Sequence, residues 1–298
     1  MRTSPGPAGS RPLAGSTVVI TGASSGIGRS AAGQLASLGA RIIMVGRSPE
    51  KHRAVEAELD AEAAEHELVA ADLGFLSSVA GAGHVIAESA ARRWEGGLIL
   101  VNNAATAGSR GVTRDGFELA FGVNYLAHFL LTSLLLEAKL PISGVVNVTS
   151  NAHYSTATLD PGLAMGRTRS LMGWREYSHS KAALAAFTVE LAHRHPAIRS
   201  LAVHPGVVAT GLWRRIPQPF RALATRRMAP PAAGALPLVR AVVDSSLQSG
   251  GYLAPEGIRA PGAAVLDAAG RSRLWDASRR WVEPFLHPSA ATPGGFGQ

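Results

Sequence analysis

The chain has 298 residues, 46% of them hydrophobic and 17% charged, a net charge of +8 and no cysteine. That length buries one large α/β core as readily as two small ones, and the absent thiols exclude a disulfide frame and a thiolate metal site. The 29 basic residues, only three of them lysine (Lys51, Lys139 and Lys181), are spread along the chain without a nucleic-acid-binding signature. The reading is therefore an anionic small-molecule partner and no nucleic acid.

Residues 1–12 are rich in Gly, Pro and Ser and lack an apolar stretch, so they read as a flexible tail and not as a signal peptide. Thr17–Thr21 is an apolar, β-branched run that breaks into the glycines Gly22, Gly26 and Gly28, after which a helical pattern covers Ile27–Leu38. Gly22 to Gly26 also spells the G-x-S-x-G of a serine-hydrolase elbow around Ser24. Only one strand precedes Ser24, so no earlier loop supplies that elbow's oxyanion hole. A P-loop fails because Gly22 to Arg29 lacks the terminal Gly-Lys-[Ser/Thr]. A dinucleotide loop fits: the glycines allow a tight turn and close approach of a pyrophosphate, which then lies at the positive N-terminus of a helix.

Further strands are expected at Arg41–Val45, Glu67–Ala71, Leu98–Asn102, Val145–Ser150, Ile198–His204 and Gly251–Leu253. Helices are expected at Pro49–Ala64, Leu76–Arg93, Arg114–Lys139, Ser178–His195, Ala232–Gln248 and Arg271–Val282. Strands alternating with helices predict right-handed crossovers and a doubly wound parallel sheet of about seven strands, with helices on both faces. One domain over residues 13–285 is expected, with a second flexible tail at 286–298. Phe117 to Leu136 is broken by Glu118, Asn124 and His128, so no membrane span is read there and a cytoplasmic location is expected. Two long connections, Ser155 to Arg175 and Gly211 to Pro230, leave the carboxyl ends of strands, where ligands bind in such sheets.

Tyr177-x-x-x-Lys181 places a phenol and an ammonium on one helical face. A neighbouring cation stabilises phenolate and brings a phenol of pKa about 10 toward neutrality. In "GVVNVTSNAH", alternation sets Val146, Val148 and Ser150 on one face and Val145, Asn147 and Thr149 on the other, so one hydroxyl of the Thr149–Ser150 pair faces the cleft.

These segments, in this order, resemble the short-chain dehydrogenase/reductase family over about Leu13 to Val282, which implies a Rossmann fold. Thr21-Gly22-x-x-x-Gly26-Ile27-Gly28 matches the family's dinucleotide loop, with Ser24 and Ser25 as phosphate or turn hydrogen-bonders. The resemblance places the catalytic serine at Ser150, steadying the substrate oxygen. Tyr177 becomes the proton donor, Lys181 the residue that lowers its pKa and binds the nicotinamide ribose, and Asn124 the residue whose helix kink holds a relay water. It also implies cofactor contacts from Asp72 and Leu73 at the adenine, from Asn103 and Ala104 after the fourth strand, and from Pro205, Gly206, Val208 and Thr210 over the nicotinamide. Asp72 reads equally as a helix N-cap. Ala105 stands where the family usually has Gly.

An NAD site ends its second strand with an acid that accepts from the ribose 2′-hydroxyl. Here Gly46, Arg47 and Ser48 stand there. A guanidinium and a hydroxyl suit a 2′-phosphate, so NADP(H) is favoured over NAD(H), with no metal; Arg47 also reads as a solvated arginine.

The Asn-Ala-His after Ser150, "FLLT" after Asn124, "GGYLAPEG" and "RLWDASRRW" resemble the retinol-dehydrogenase and WW-domain-oxidoreductase-like branch. The activity implied is reduction of an apolar aldehyde or ketone, or oxidation of the matching alcohol. Met165, Leu171, Met172 and Trp174 in one long connection, and Leu212, Trp213, Ile216 and Phe220 in the other, contact substrate or pack on the core. Arg214, Arg215, Arg221, Arg226 and Arg227 form a solvated basic face or touch anionic lipid. His153 and His179 are expected at the surface or behind the site. The Asn124 and Tyr177 helices are the family's usual homodimer faces. A non-catalytic NADPH-binding sensor and, remotely, a hydrolase using Ser24 stay open as alternatives.

Overall fold

The computed structural model describes residues 11–61, 64–93, 96–208 and 228–287. Thr210 and residues 211–227, among them the apolar and arginine side chains expected to form a lid, lie outside the described residues.

Eight strands form one sheet in the order β3-β2-β1-β4-β5-β6-β7-β8. They are β1 (Thr17–Thr21), β2 (Arg41–Gly46), β3 (His66–Ala70), β4 (Leu98–Asn102), β5 (Ile142–Val148), β6 (Arg199–Val203), β7 (Tyr252–Ala254) and β8 (Gly257–Arg259). Every neighbouring pair is parallel except β7–β8. The eighth strand, not expected from sequence, closes a hairpin through Pro255 and Glu256 and is three residues long. A strand of that length carries no readable alternation. Strand order reverses between β1 and β4, which opens a crevice at their carboxyl ends.

The helices are α1 (Gly26–Ser37), α2 (Pro49–Ala61), α3 (Leu76–Arg93), α4 (Leu119–Glu137), α5 (Trp174–Arg194), α6 (Pro231–Val243), α7 (Ala263–Leu266) and α8 (Ala268–Leu286). Alternation along the strands divides the core. Val19, Ile43, Leu100 and Val145 meet α3, α4, α5 and α8 on one face. Val18, Ile20, Ile42, Val101 and Val146 meet α1, α2 and α6 on the other. Burial on both faces explains why β1 and β4, buried throughout, are apolar at Val18–Ile20 and Leu98–Val101.

Three boundaries differ from the periodic pattern for local reasons. α4 begins at Leu119 and not Arg114, because Thr113 Oγ1 accepts from the Phe117 amide and the Glu118 carboxylate accepts from that of Phe121. α6 ends at Val243 and not Gln248, because the Arg199 guanidinium takes the carbonyls of Val242 and Asp244, at 2.7 and 2.6 Å. β5 ends at Val148, so Ser150 stands beyond the sheet and not on a continuing strand face.

α4 is long and apolar enough to cross a membrane, but most of it is buried inside the fold as a core helix. α8 covers it from outside. Trp275 stacks on Phe187 of α5 at 5.8 Å and meets Phe129 of α4 edge-on at 5.1 Å. Tyr125 and Ser278 share a hydrogen bond of 2.7 Å. A homodimer through these faces of α4 and α5 would require α8 to leave.

Candidate active site

At the head of β1, Gly22 takes φ +71°, and a Cβ on Gly28 would stand 2.4 Å from the Gly22 carbonyl oxygen. Only glycine permits the first turn of α1 to close on the loop. Ser25 occupies the N-cap position without capping through its side chain, and the first turn holds no acid. The amides there are left to an external anion, so the chain fits a dinucleotide pyrophosphate. Ser24 is half-buried and Ser25 exposed.

Thr21 locks this loop to the next strand. Its Oγ1 accepts from the amides of Asn103 (2.9 Å) and Ala104 (3.0 Å), while Asn103 Nδ2 donates to the Thr21 carbonyl at 2.9 Å. The Asn103 side chain is thus spent on the glycine loop. Thr21 also bonds His128 Nε2 at 2.9 Å, and His128 Nδ1 bonds the Asn124 carbonyl at 3.0 Å. A carbonyl only accepts, so Nδ1 carries the proton and Nε2 receives the Thr21 hydroxyl. One histidine therefore joins the glycine loop to the asparagine helix, and the sequence pattern did not single it out. Thr21→Val orphans two amides and a buried imidazole nitrogen. The expected cost is about 1–3 kcal/mol in urea unfolding.

Asn124 lies in a π-helical turn, Gly122–Leu126, inside α4. Its side chain accepts from the Thr106 amide at 2.7 Å and donates to the Thr106 carbonyl and Ser180 Oγ, both at 3.0 Å. Ser180 Oγ in turn donates to the Tyr177 carbonyl at 2.7 Å. Asn124 and Tyr177 are thereby held in one frame across α4 and α5.

Tyr177 and Lys181, one turn apart on α5, are both buried. Burial holds the phenol above its ordinary range, and a hydrogen bond with the Ser150 side chain pulls it partly back. Lys181 Nζ donates to the Val148 carbonyl at 2.8 Å and lies 5.9 Å from the centre of the Tyr177 ring. Desolvation pushes its ammonium down to about 7. The downward pull on the phenol comes from Ser150, where sequence reasoning looked to Lys181. Ser150 Oγ also accepts from the Ala152 amide at 3.2 Å. Thr149, by contrast, turns its hydroxyl back to the Val203 carbonyl at 3.2 Å and is buried.

His153 and His179 are both buried, not at the surface. His153 donates through Nδ1 to the Ser150 carbonyl at 2.7 Å and accepts from the Gly262 amide at 3.0 Å, which ties Ser150 to the segment before α7. His179 accepts from the Asp160 amide at 3.3 Å and stacks on Phe121 at 5.7 Å, which pins the 155–173 connection to α5. Glu118, also missed, takes the Thr168 hydroxyl at 2.5 Å and fixes the same connection to α4. Asp72 closes its own turn by accepting from the Gly74 amide at 3.0 Å; the start of α3 is capped instead by Asp115, on the Leu76 amide at 2.9 Å. Leu73 is buried beside it. Pro205 and Gly206 follow β6, and Val208 forms a bridge with Ala229.

Burial pushes His128, His179 and His204 down to about 4, against about 6.5 in an unfolded chain. Between those values the unfolded chain binds more protons, so the histidines' contribution to stability is full above pH 6.5 and falls as pH drops toward 4. The urea midpoint is expected to be lower at pH 5 than at pH 7.5.

The short-chain dehydrogenase family model matches residues 16–219, which hold the glycine loop, Asn124, Ser150, Tyr177 and Lys181. The chain is a short-chain dehydrogenase/reductase. It is 34% identical to human retinol dehydrogenase 13 over 288 residues, covering 91% of this chain and 85% of that one. It is also 34% identical over 270 residues to a Streptomyces protein named as a putative daunorubicin C-13 ketoreductase, DnrU, covering 89% of this chain and 92% of that one. Among solved structures, an uncharacterised Mycobacterium paratuberculosis protein superposes with a TM-score of 0.71 at 32% identity, covering 91% of this chain and 94% of that one. A Burkholderia cenocepacia short-chain dehydrogenase in complex with NADP superposes at 0.63 with 26% identity, covering 82% and 97%. As a member of this family the short-chain dehydrogenase/reductase is an oxidoreductase that binds a nicotinamide cofactor and acts on a small molecule. Its eight-stranded, mostly parallel sheet is the family's Rossmann-like architecture.

Proposed function

We propose that this short-chain dehydrogenase/reductase uses NADP(H) to reduce an apolar aldehyde or ketone, the reverse oxidation using the same groups. The observation that carries the substrate class is the exposed apolar connection that leads into α5 just before Tyr177. Met165, Leu171, Met172 and Trp174 do not pack into the core; all are more than half exposed, Leu171 at 85%. The Trp174 ring stands 5.6 Å from that of Tyr177. Apolar side chains left in water on the connection that leads to a buried acid suit an apolar ligand that covers them. The names of the ketoreductase and retinol dehydrogenase relatives support the same class.

The bound cofactor supplies and takes up hydride. The chain supplies the rest. Tyr177, held protonated by burial, donates to the substrate oxygen, and Ser150 donates a second hydrogen bond to that oxygen as charge develops on it. Asn124, through Ser180, fixes the helix backbone at Tyr177, and Lys181 would hold the nicotinamide ribose. The exposed Arg47 beside Gly46 supports NADP(H), as does the NADP complex of the Burkholderia relative. Ser48 donates to Glu50 at 2.6 Å and would have to turn to reach a phosphate.

The test is consumption of NADPH and of NADH with medium-chain, aromatic and isoprenoid aldehydes and ketones. Turnover of the apolar members with NADPH at lower KM than with NADH is expected. Turnover confined to small polar carbonyls would sink the substrate class, and a preference for NADH the cofactor.

A further inference from the structure

Gly46 ends β2, where a side chain would meet the adenosine ribose, and its surroundings decide what that side chain could be. A Cβ built there would stand 2.6 Å from Cε1 and 2.8 Å from Nε2 of His52. Neither neighbour is free to give way. His52 lies on α2 with 1% of its surface exposed, and its Nδ1 bonds the Ser48 carbonyl at 2.7 Å. The Gly46 carbonyl accepts from the Ala71 amide at 3.0 Å, and the next residue back, Val45, accepts from the Gly22 amide at 2.8 Å. Backbone and ring are thus each tied to a separate partner, and the ring fills the volume between them. Its Nε2 is buried, has no hydrogen-bond partner among the described residues and lies on the side where the Cβ would stand.

We propose that His52 is a cofactor-selectivity residue: its ring occupies the space of an acidic side chain at position 46 and so denies this chain the carboxylate that grips a ribose 2′-hydroxyl. The consequence for cofactor choice rests on the NADP(H) reading above. The steric claim does not. With Nδ1 committed to the Ser48 carbonyl, the ring does not turn aside without giving up that bond, so a side chain forced against it meets overlap. Arg47 is then the charged group left to face the adenosine end, and selectivity comes from exclusion of the acid as much as from attraction by the guanidinium.

The experiment is a double-mutant cycle with Gly46→Asp, His52→Ala and the pair. It is read by melting of the protein without nucleotide and by calorimetric titration with NADP+ and with NAD+. Gly46→Asp alone is expected to melt lower than wild type and to bind both nucleotides at least tenfold more weakly. Adding His52→Ala should restore most of the melting loss and tighten NAD+ at least tenfold, leaving NADP+ weak. Additive melting changes, with Gly46→Asp binding NAD+ as tightly as the pair, would overturn the proposal. A wild type that prefers NAD+ would overturn the NADP(H) reading, while the melting cycle still scores the clash. If the Asp variants do not fold, Gly46→Ala with and without His52→Ala introduces the Cβ alone, and the same non-additivity is required.

Discussion

Tyr177→Phe is expected to lower carbonyl reduction by about 10²–10⁴-fold, the range a positioned general acid contributes. At about 1.36 kcal/mol per tenfold, that is about 2.7–5.4 kcal/mol of transition-state stabilisation. The loss falls on kcat, because the ring and its contact with Trp174 at 5.6 Å remain. What is removed is one hydroxyl and its bond with Ser150. Stability should move by no more than about 1.5 kcal/mol, and the NADPH dissociation constant by little. The raised phenol pKa gives the reaction a direction in pH. A phenol held above its ordinary range is protonated at neutrality and ready to donate, so reduction should be flat through pH 7. Alcohol oxidation needs the phenolate and should climb with pH. Full turnover in Tyr177→Phe would remove the proton-donor role. A wild type that binds NADPH and turns over nothing on the panel would favour the sensor.

The parts of this site that were legible in sequence are those carried by short spacings. Tyr177 and Lys181 are one turn apart, and the glycine loop is seven residues long. Strand alternation located the sheet because each face of a β-strand is a local period of two. What was not legible depends on residues far apart in sequence. In sequence His128 is a mere interruption of an apolar run, yet it bonds Thr21 across 107 positions. His153 reaches Gly262 across 109, and Glu118 reaches Thr168 across 50. A buried polar side chain is affordable only with partners, and sequence gives the side chain without them. The helix irregularity at Asn124 is implied only by the family resemblance, since the wider pitch of a π turn changes no residue type. Gly46 shows in sequence as a missing acid, but the ring that fills its side-chain space, a histidine six residues on, shows only in the fold.

Lys181→Met is the second large effect, and it separates function from stability. Turnover is expected to fall by about 10²-fold or more, because the side chain that would hold the nicotinamide ribose beside Tyr177 is lost. The fold should gain. Burial pushes Lys181 down to about 7, against about 10.4 in an unfolded chain. Between those values the unfolded chain binds more protons than the native one, so wild-type stability rises as pH climbs from about 7 to 10. Below pH 7 both states are protonated, the slope vanishes and the full cost of burying the ammonium is carried. Methionine fills nearly the same volume without charge. It abandons the Val148 carbonyl, now bonded at 2.8 Å, but that is one neutral acceptor against a desolvated cation. The variant should therefore melt higher than wild type at pH 7, and the difference should shrink toward pH 10. A variant that melts lower at pH 7 would mean that the ammonium is held favourably in place. Loss of turnover with a raised melting temperature would mark Lys181 as a residue kept for chemistry at the expense of the fold.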